Sequence, residues 1–308
     1  MGRAVINSIM PAGRGSTDVT SLIEEFEYPR LGPGMMWEAC AAQVEDGGST
    51  LVLGSRVESI SRDGQRLVVR CDDGSTHGCD ELISSMPLGA LVASLDPPPP
   101  EEVVAMAQSL THRDFLTVAI VVPEAEAFPD NWIYVHDPGA LVGRVQNYGS
   151  WSPFMVKGEM TCLGLEYFVN EGEELWEMPD EELVALAAGE LDRLGLVARE
   201  HVERGYVVRM PKAYPVYRPG YDEAVGAIRS FLEEEWPEIH PVGRSGMHRY
   251  NNQDHSMMTA MVTVDRIGAG RGGNPWNVNV EAEYHEEQAG LAPSGNSGTG
   301  RSAPVAGP

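Results

Sequence analysis

The chain has 308 residues, 42% of them hydrophobic, and a formal net charge of −24. That length can bury a sizeable core in two domains, and the charge argues against nucleic acid as a partner, because its phosphates would be repelled. The longest apolar run, Phe115 to Val122, has the length of a strand and not of a membrane span. The four cysteines (Cys40, Cys71, Cys79, Cys162) form no Cys-x-x-Cys pair and follow no signal peptide, which predicts reduced thiols in a cytoplasm. The eight histidines make no pair of zinc spacing, so no structural metal is expected.

In chain order, Met1 to Ser21 is Gly-rich and reads as the loosened remnant of a helix-and-loop region. Gly32-Pro33-Gly34 is a turn, and Met35 to Val44 carries helical spacing. Leu51 to Gly54 reads as a short strand, and Val57 to Ile60 alternates toward the hairpin signal Asp63-Gly64. Leu67 to Cys71 follows, then a second turn at Asp72-Asp73-Gly74, then Asp80 to Pro87 with a small-residue turn at Ser84-Ser85-Met86. Pro97 to Pro100 is a crossing linker and Glu101 to Leu110 a helix. Leu116–Val122, Trp132–His136, Leu141–Tyr148 and Thr161–Phe168 read as strands of one sheet. Asp180 to Leu194 is a helix whose first turn holds Glu181 and Glu182, complementing the helix dipole. His201 to Met210 is a strand, Tyr214-Pro215 a turn, and Tyr221 to Trp236 a long helix. From Ala269 the chain reads as a loose tail, with Ala289 to Pro308 expected to be disordered.

The stretch Gly243-Arg244 to Tyr250-Asn251-Asn252-Gln253-Asp254-His255-Ser256, followed by an apolar helix pattern, carries the most chemistry. Gly243 lets a main chain approach a ligand closely, Arg244 has a planar fork suited to pyrophosphate, and a helix start offers free N–H groups to oxygens. A plain turn with an N-capped helix, Asp254 or Ser256 being the cap, also accounts for it.

The order Gly-Arg…Tyr…Asn-Gln-Asp-His-Ser resembles the C-terminal flavin-binding segment of UDP-galactopyranose mutases, especially the eukaryotic type, which share a fold with amine oxidases and protoporphyrinogen oxidases. Four further stretches match in the same order: Phe26 to Trp37, Leu51 to Leu91, Asn131 to Pro153 and Lys212 to Tyr217. The resemblance implies an α/β (α+β) fold, the C-terminal part of a two-domain FAD-binding oxidoreductase. It divides the chain into an N-terminal remnant (1–21), a partial Rossmann-like FAD-domain part (22–96), a mixed-sheet substrate domain (97–237), a C-terminal FAD-binding segment (238–268) and a tail (269–308). It assigns Gly34, Val57, Gly243, Arg244, Asn252, Gln253, Asp254 and Ser256 to FAD, and Trp132, Tyr134, Arg144, Tyr214 and Tyr250 to a nucleotide-sugar substrate. Arg144 suits diphosphate because arginine makes charge-assisted, two-pronged bonds. The polar run between Tyr250 and Asn252 is shorter than in the eukaryotic enzymes, which shifts the tyrosine relative to the flavin.

In the resembled family the reduced flavin N5 attacks the anomeric carbon as UDP leaves, so no protein nucleophile is expected and no Ser-His-Asp or Cys-His arrangement competes. A dinucleotide domain of this kind opens with strand, Gly-x-Gly-x-x-Gly and helix. Gly13 to Asp18 does not fit that pattern. Gly268 to Gly273 fits it on paper but follows a helix and starts none. The expectation is a family member lacking its N-terminal portion, the Met1 start being a misassigned internal start, a truncated gene or one half of a split pair whose other half is encoded separately. The alternatives are an FAD oxidoreductase of the amine oxidase or protoporphyrinogen oxidase type, and a non-catalytic or partner-dependent fragment.

Overall fold

The computed structural model describes residues 27–270 and 272–278. The expectations for residues 1–21, Phe26 and the tail beyond 278 lie outside the described residues.

Two hydrophobic cores organise the chain. The first is built on an antiparallel meander of β1 (Val57–Asp63), β2 (Arg66–Cys71) and β3 (Thr76–Cys79). Ile60, Leu67 and Val69 on this meander pack against helices α2 (Leu88–Ala93), α3 (Glu101–Ser109) and α7 (Tyr221–Glu235). Ala224, Ile228 and Leu232 supply the α7 stripe at helical spacing. Beside this core lies a two-stranded parallel pair, β4 (Leu82–Ser84) with β10 (Ile239–Pro241). The chain thus returns from α7 to lie next to the Ser84-Ser85 turn.

The second core sits under a five-stranded antiparallel sheet of order β6-β7-β8-β5-β9. Its strands are β5 (Thr111–Pro123), β6 (Trp132–Tyr134), β7 (Arg144–Asn147), β8 (Met160–Val169) and β9 (Arg204–Val216). Leu116, Val118, Ile120 and Val122 alternate along β5 and face Leu183, Ala187 and Leu191 of α6 (Asp180–Arg193). Period 2 meets period 3.6 there, which is the ordinary way a sheet and a helix bury one face each. The opposite face stays open. One row of paired residues runs across all five strands on it: Tyr134, Arg144, Glu166, Thr117 and Val208.

Three expectations are corrected. Leu51 to Gly54 forms no strand, and Leu53 is 83% exposed. Strand β7 begins at Arg144 and not at Leu141, because the amides of Leu141 and Val142 donate to the buried Glu190 carboxylate instead of a neighbouring strand. Tyr214-Pro215 is no turn but the end of β9, pairing with His112 and Arg113 beyond an irregularity at Arg113/Phe115. Lys212 sits at φ 55 there, and its amide donates to Asp114 at 2.6 Å. The meander also has a strand at Thr76–Cys79, a stretch between the turn at Asp72-Asp73-Gly74 and Asp80 to which the sequence pattern assigns no element.

Candidate functional site

Helix α8 (Gly243–Gly246) and helix α9 (Gln253–Ala269) follow β10 and frame a groove of about 560 Å³. Gly243, Arg244, Asn252, Gln253 and Ser256 all line it, together with Trp37 of α1 (Gly34–Asp46) and Ser85 after β4. The N-cap of α9 is Asn252, not Asp254 or Ser256. A reciprocal pair forms there: the Asn252 side chain accepts from the His255 amide while its own amide donates to His255 Nδ1 at 3.3 Å. Asp254 and Ser256 therefore fall in the first turn.

Gly243 has φ 73, a left-handed conformation that a side chain strains, and its amide donates to Thr259 Oγ1 at 2.9 Å. Its glycine is needed for the turn that docks α8 on α9. Gly246 answers a second constraint: a Cβ there would lie 2.6 Å from the Ser84 carbonyl oxygen. Gly34 has open space around it and Val57 packs on the first core; neither lines the groove.

Arg244 is the hinge between groove and sheet. Its Nε donates to the Asn251 carbonyl at 2.8 Å and one terminal amine to the Ala213 carbonyl at 3.4 Å. Its Cζ lies 5.0 Å from the Tyr214 ring centroid and 4.7 Å from that of Tyr250. Among its ion-pair partners no carboxylate is found within 4.0 Å in the described residues, so its positive charge is uncompensated by contact. Tyr250 is fixed in turn by its amide, which donates to the Tyr217 hydroxyl at 2.5 Å.

From Tyr214 the wall continues over the open face of the sheet. Phe115 and Phe168 lie 5.9 and 6.0 Å from Tyr214. Farther along, Trp132 lies 5.1 Å from Trp151 and 6.4 Å from Tyr134, both ring to ring, and Trp132 and Tyr134 are 42% and 50% exposed. The Tyr134 ring and hydroxyl flank Arg144. Burial pushes the Tyr214 hydroxyl pKa up, Tyr250 adds to this, and the two guanidiniums of Arg144 and Arg244 oppose it. One tyrosine thus stands between both arginines.

Sequence reasoning missed the partner of Arg144. Its Nε donates to Glu166, which is 3% exposed, and the other Glu166 oxygen accepts from Gln146 Nε2. Burial opposes the charge on Arg144, yet the adjacent carboxylate holds its pKa above the ordinary value. A lone carboxylate in the otherwise apolar stretch Thr161–Phe168 was the only available signal.

The residues present fit a flavin dinucleotide. Among the described residues, the Gln253 and Asp254 amides at the start of α9 have no backbone acceptor, the adjacent Arg244 has no contacting carboxylate, and the buried Ser84 hydroxyl beside the groove meets no hydrogen-bond partner. A groove of this kind beside an aromatic-lined antiparallel sheet is consistent with the mixed α/β fold of flavin-binding proteins. The chain belongs to the flavin-containing amine oxidoreductase family, whose model matches residues 17–240. The cofactor of that family is FAD.

A coproporphyrinogen III oxidase from Propionibacterium freudenreichii subsp. freudenreichii is 25% identical over 218 residues, which is 69% of this chain and 39% of that protein. Among solved structures, a reduced UDP-galactopyranose mutase has a similar fold, with TM-score 0.70 and 20% identity over 82% of this chain and 55% of that one. A putative protoporphyrinogen oxidase from Exiguobacterium sp. 255-15 has TM-score 0.55 and 17% identity over 68% of this chain and 46% of that one. The chain therefore spans about half the length of its structural relatives or less. Among the described residues no helix is long and apolar enough to cross a membrane, and no cluster of three metal-ligating side chains is present.

Proposed function

We propose that this chain forms the substrate side and the C-terminal cofactor side of an FAD enzyme that acts on a nucleotide sugar, in the manner of UDP-galactopyranose mutases. The observation that carries the reading is the convergence of Tyr134, Arg144, Tyr214, Arg244 and Tyr250, drawn from β6, β7, β9, α8 and the α8–α9 loop, into one wall beside the groove. FAD, when bound, supplies the covalent or redox chemistry at its ring. This chain's own residues bind and orient. Arg244 and the start of α9 hold anionic oxygens of the cofactor, while Asn252 and Gln253 shape the groove edge. Tyr134 and Tyr214 offer neutral hydroxyl donors, and Trp132 an exposed stacking face for a planar part of the substrate.

A second reading, an FAD oxidoreductase of the amine oxidase or protoporphyrinogen oxidase type, is favoured by one observation. Arg144 is already neutralised by Glu166, which suits a substrate with less negative charge than a diphosphate. The test is the visible spectrum of the purified chain with added FAD, followed by thermal denaturation with and without UDP. Flavin bands that survive desalting, with UDP raising the midpoint, support the mutase-like reading. Flavin bands without a UDP effect support the oxidoreductase. A colourless chain counts against both for this polypeptide alone.

A further inference from the structure

The two arginines of the wall are electrostatically unequal. Among the described residues, Arg244 touches carbonyl oxygens and aromatic faces and no carboxylate, so it presents a net positive charge there. Arg144 does not. Its side chain is 24% exposed and its Nε is bound to a Glu166 side chain that is 4% exposed, with Gln146 filling the other carboxylate oxygen. Both sit on the open face of the sheet in directly paired strands, Arg144 opposite Glu166 and Tyr134 opposite Arg144. A carboxylate this deep cannot turn away to water, and its attraction for the guanidinium is little screened. An anion approaching Arg144 from the Tyr134 side meets a charge already spent.

We propose that Glu166 is the internal counter-ion of Arg144 and a specificity-determining residue of the site, lowering its affinity for oxyanions and leaving Arg244 as the main anion receptor of the wall. The link to a nucleotide sugar rests on the proposed function. The charge compensation does not, and inorganic pyrophosphate reads it independently of any nucleotide.

The experiment uses the full chain and titrates pyrophosphate and UDP separately, following the thermal midpoint and tryptophan fluorescence, which Trp132 and Trp151 report. Glu166→Gln keeps the shape and removes the charge. It should bind pyrophosphate about tenfold more tightly than the wild type, as expected when one charge-assisted contact is released. Glu166→Asp keeps the charge and should return the affinity to near the wild-type value. The double variant Arg144→Gln/Glu166→Gln removes the pair together and should show no gain. A purely structural role for Glu166 would produce loss and never gain.

Should Glu166→Gln not fold, the double variant, which replaces the pair by neutral groups, is compared with the wild type: a pyrophosphate affinity near that of the wild type is the expected result for an arginine already neutralised, and a loss of about tenfold or more would show that Arg144 itself holds the anion and overturns the proposal, as would equal affinity in the wild type and a folded Glu166→Gln. If Glu166→Gln gains affinity for pyrophosphate and UDP fails with every form, the counter-ion role stands and the nucleotide-sugar reading falls. If UDP binds the wild type and Glu166→Gln alike, the nucleotide-sugar reading stands and the counter-ion role falls.

Discussion

Tyr214 and Tyr250 lie nearly parallel, 15° apart with ring centroids separated by 5.8 Å, and Arg244 covers both rings. One tyrosine belongs to the sheet and the other to the loop that leads into α9, so this stack joins the substrate-side sheet to the groove. Arg244→Met keeps the aliphatic volume but loses the cation and its carbonyl bonds. It should cost about 1–2 kcal/mol of stability in urea denaturation. FAD affinity, read by flavin fluorescence titration, should fall by at least about tenfold. Unchanged FAD affinity would remove Arg244 from the cofactor side.

Glycines of α8, beside the site, and of α7, on the first core, should respond with opposite signs. At Gly246 a Cβ would meet the Ser84 carbonyl oxygen at 2.6 Å and Ser85 Cα at 3.3 Å, both backbone, so the contact between α8 and β4 must open. Gly246→Ala should destabilise by about 2 kcal/mol or more. Gly226 lies within α7 and has nothing within 4 Å, so Gly226→Ala should stabilise by about 0.5–1 kcal/mol through helix propensity. Equal effects in denaturant titration would contradict the packing of α8 described above.

The Glu190 carboxylate ties α6 to the chain ahead of β7. It accepts from the Leu141 amide at 2.6 Å, the Val142 amide at 3.2 Å and the Tyr167 hydroxyl at 2.9 Å. Tyr167→Phe leaves the carboxylate with two donors and should cost about 1 kcal/mol, whereas Glu190→Ala orphans two backbone amides and should cost about 3 kcal/mol. The ratio of the two losses, measured by urea unfolding, is the check. A smaller loss for Glu190→Ala than for Tyr167→Phe would mean that water satisfies those amides.

Acid should loosen the junction between the two cores. His112 of β5 and His248 after α8 meet edge to face with centroids 4.9 Å apart, and His248 is buried. Burial lowers the His112 pKa to about 4, with His248 adding to the effect, and burial lowers that of His248 as well. Both imidazoles are thus neutral in the folded chain where the unfolded chain binds protons. Stability from this pair is complete above the ordinary histidine pKa of 6.5 and declines as pH falls from there toward about 4. The decline should be about 1–2 kcal/mol between these limits, kept small because His112 is only half-buried. His112→Gln should flatten the profile measured by urea unfolding at stepped pH. An equally steep profile in the variant would place the acid sensitivity elsewhere.

Most elements were legible because their signals are local. Alternation along Leu116–Val122 and Thr161–Phe168 and the 3.6-residue stripe of Tyr221–Trp236 specify strand or helix within a few residues. The groove residues Gly243, Arg244, Asn252, Gln253 and Ser256 were readable for the same reason, since a glycine turn and a helix start are neighbours in the chain. Strand partners are not. Whether Arg144 faces Glu166, and which face of the sheet both occupy, depends on register between strands far apart in sequence, where a one-residue slip would turn every side chain over. The sequence by itself determined which segments are helix or strand and supplied the arginines and tyrosines. Tertiary structure alone decided their electrostatic roles, pairing Arg144 with a buried carboxylate and laying Arg244 across Tyr214 and Tyr250, because charge compensation and ring stacking require contacts that only the packed sheet and loops create.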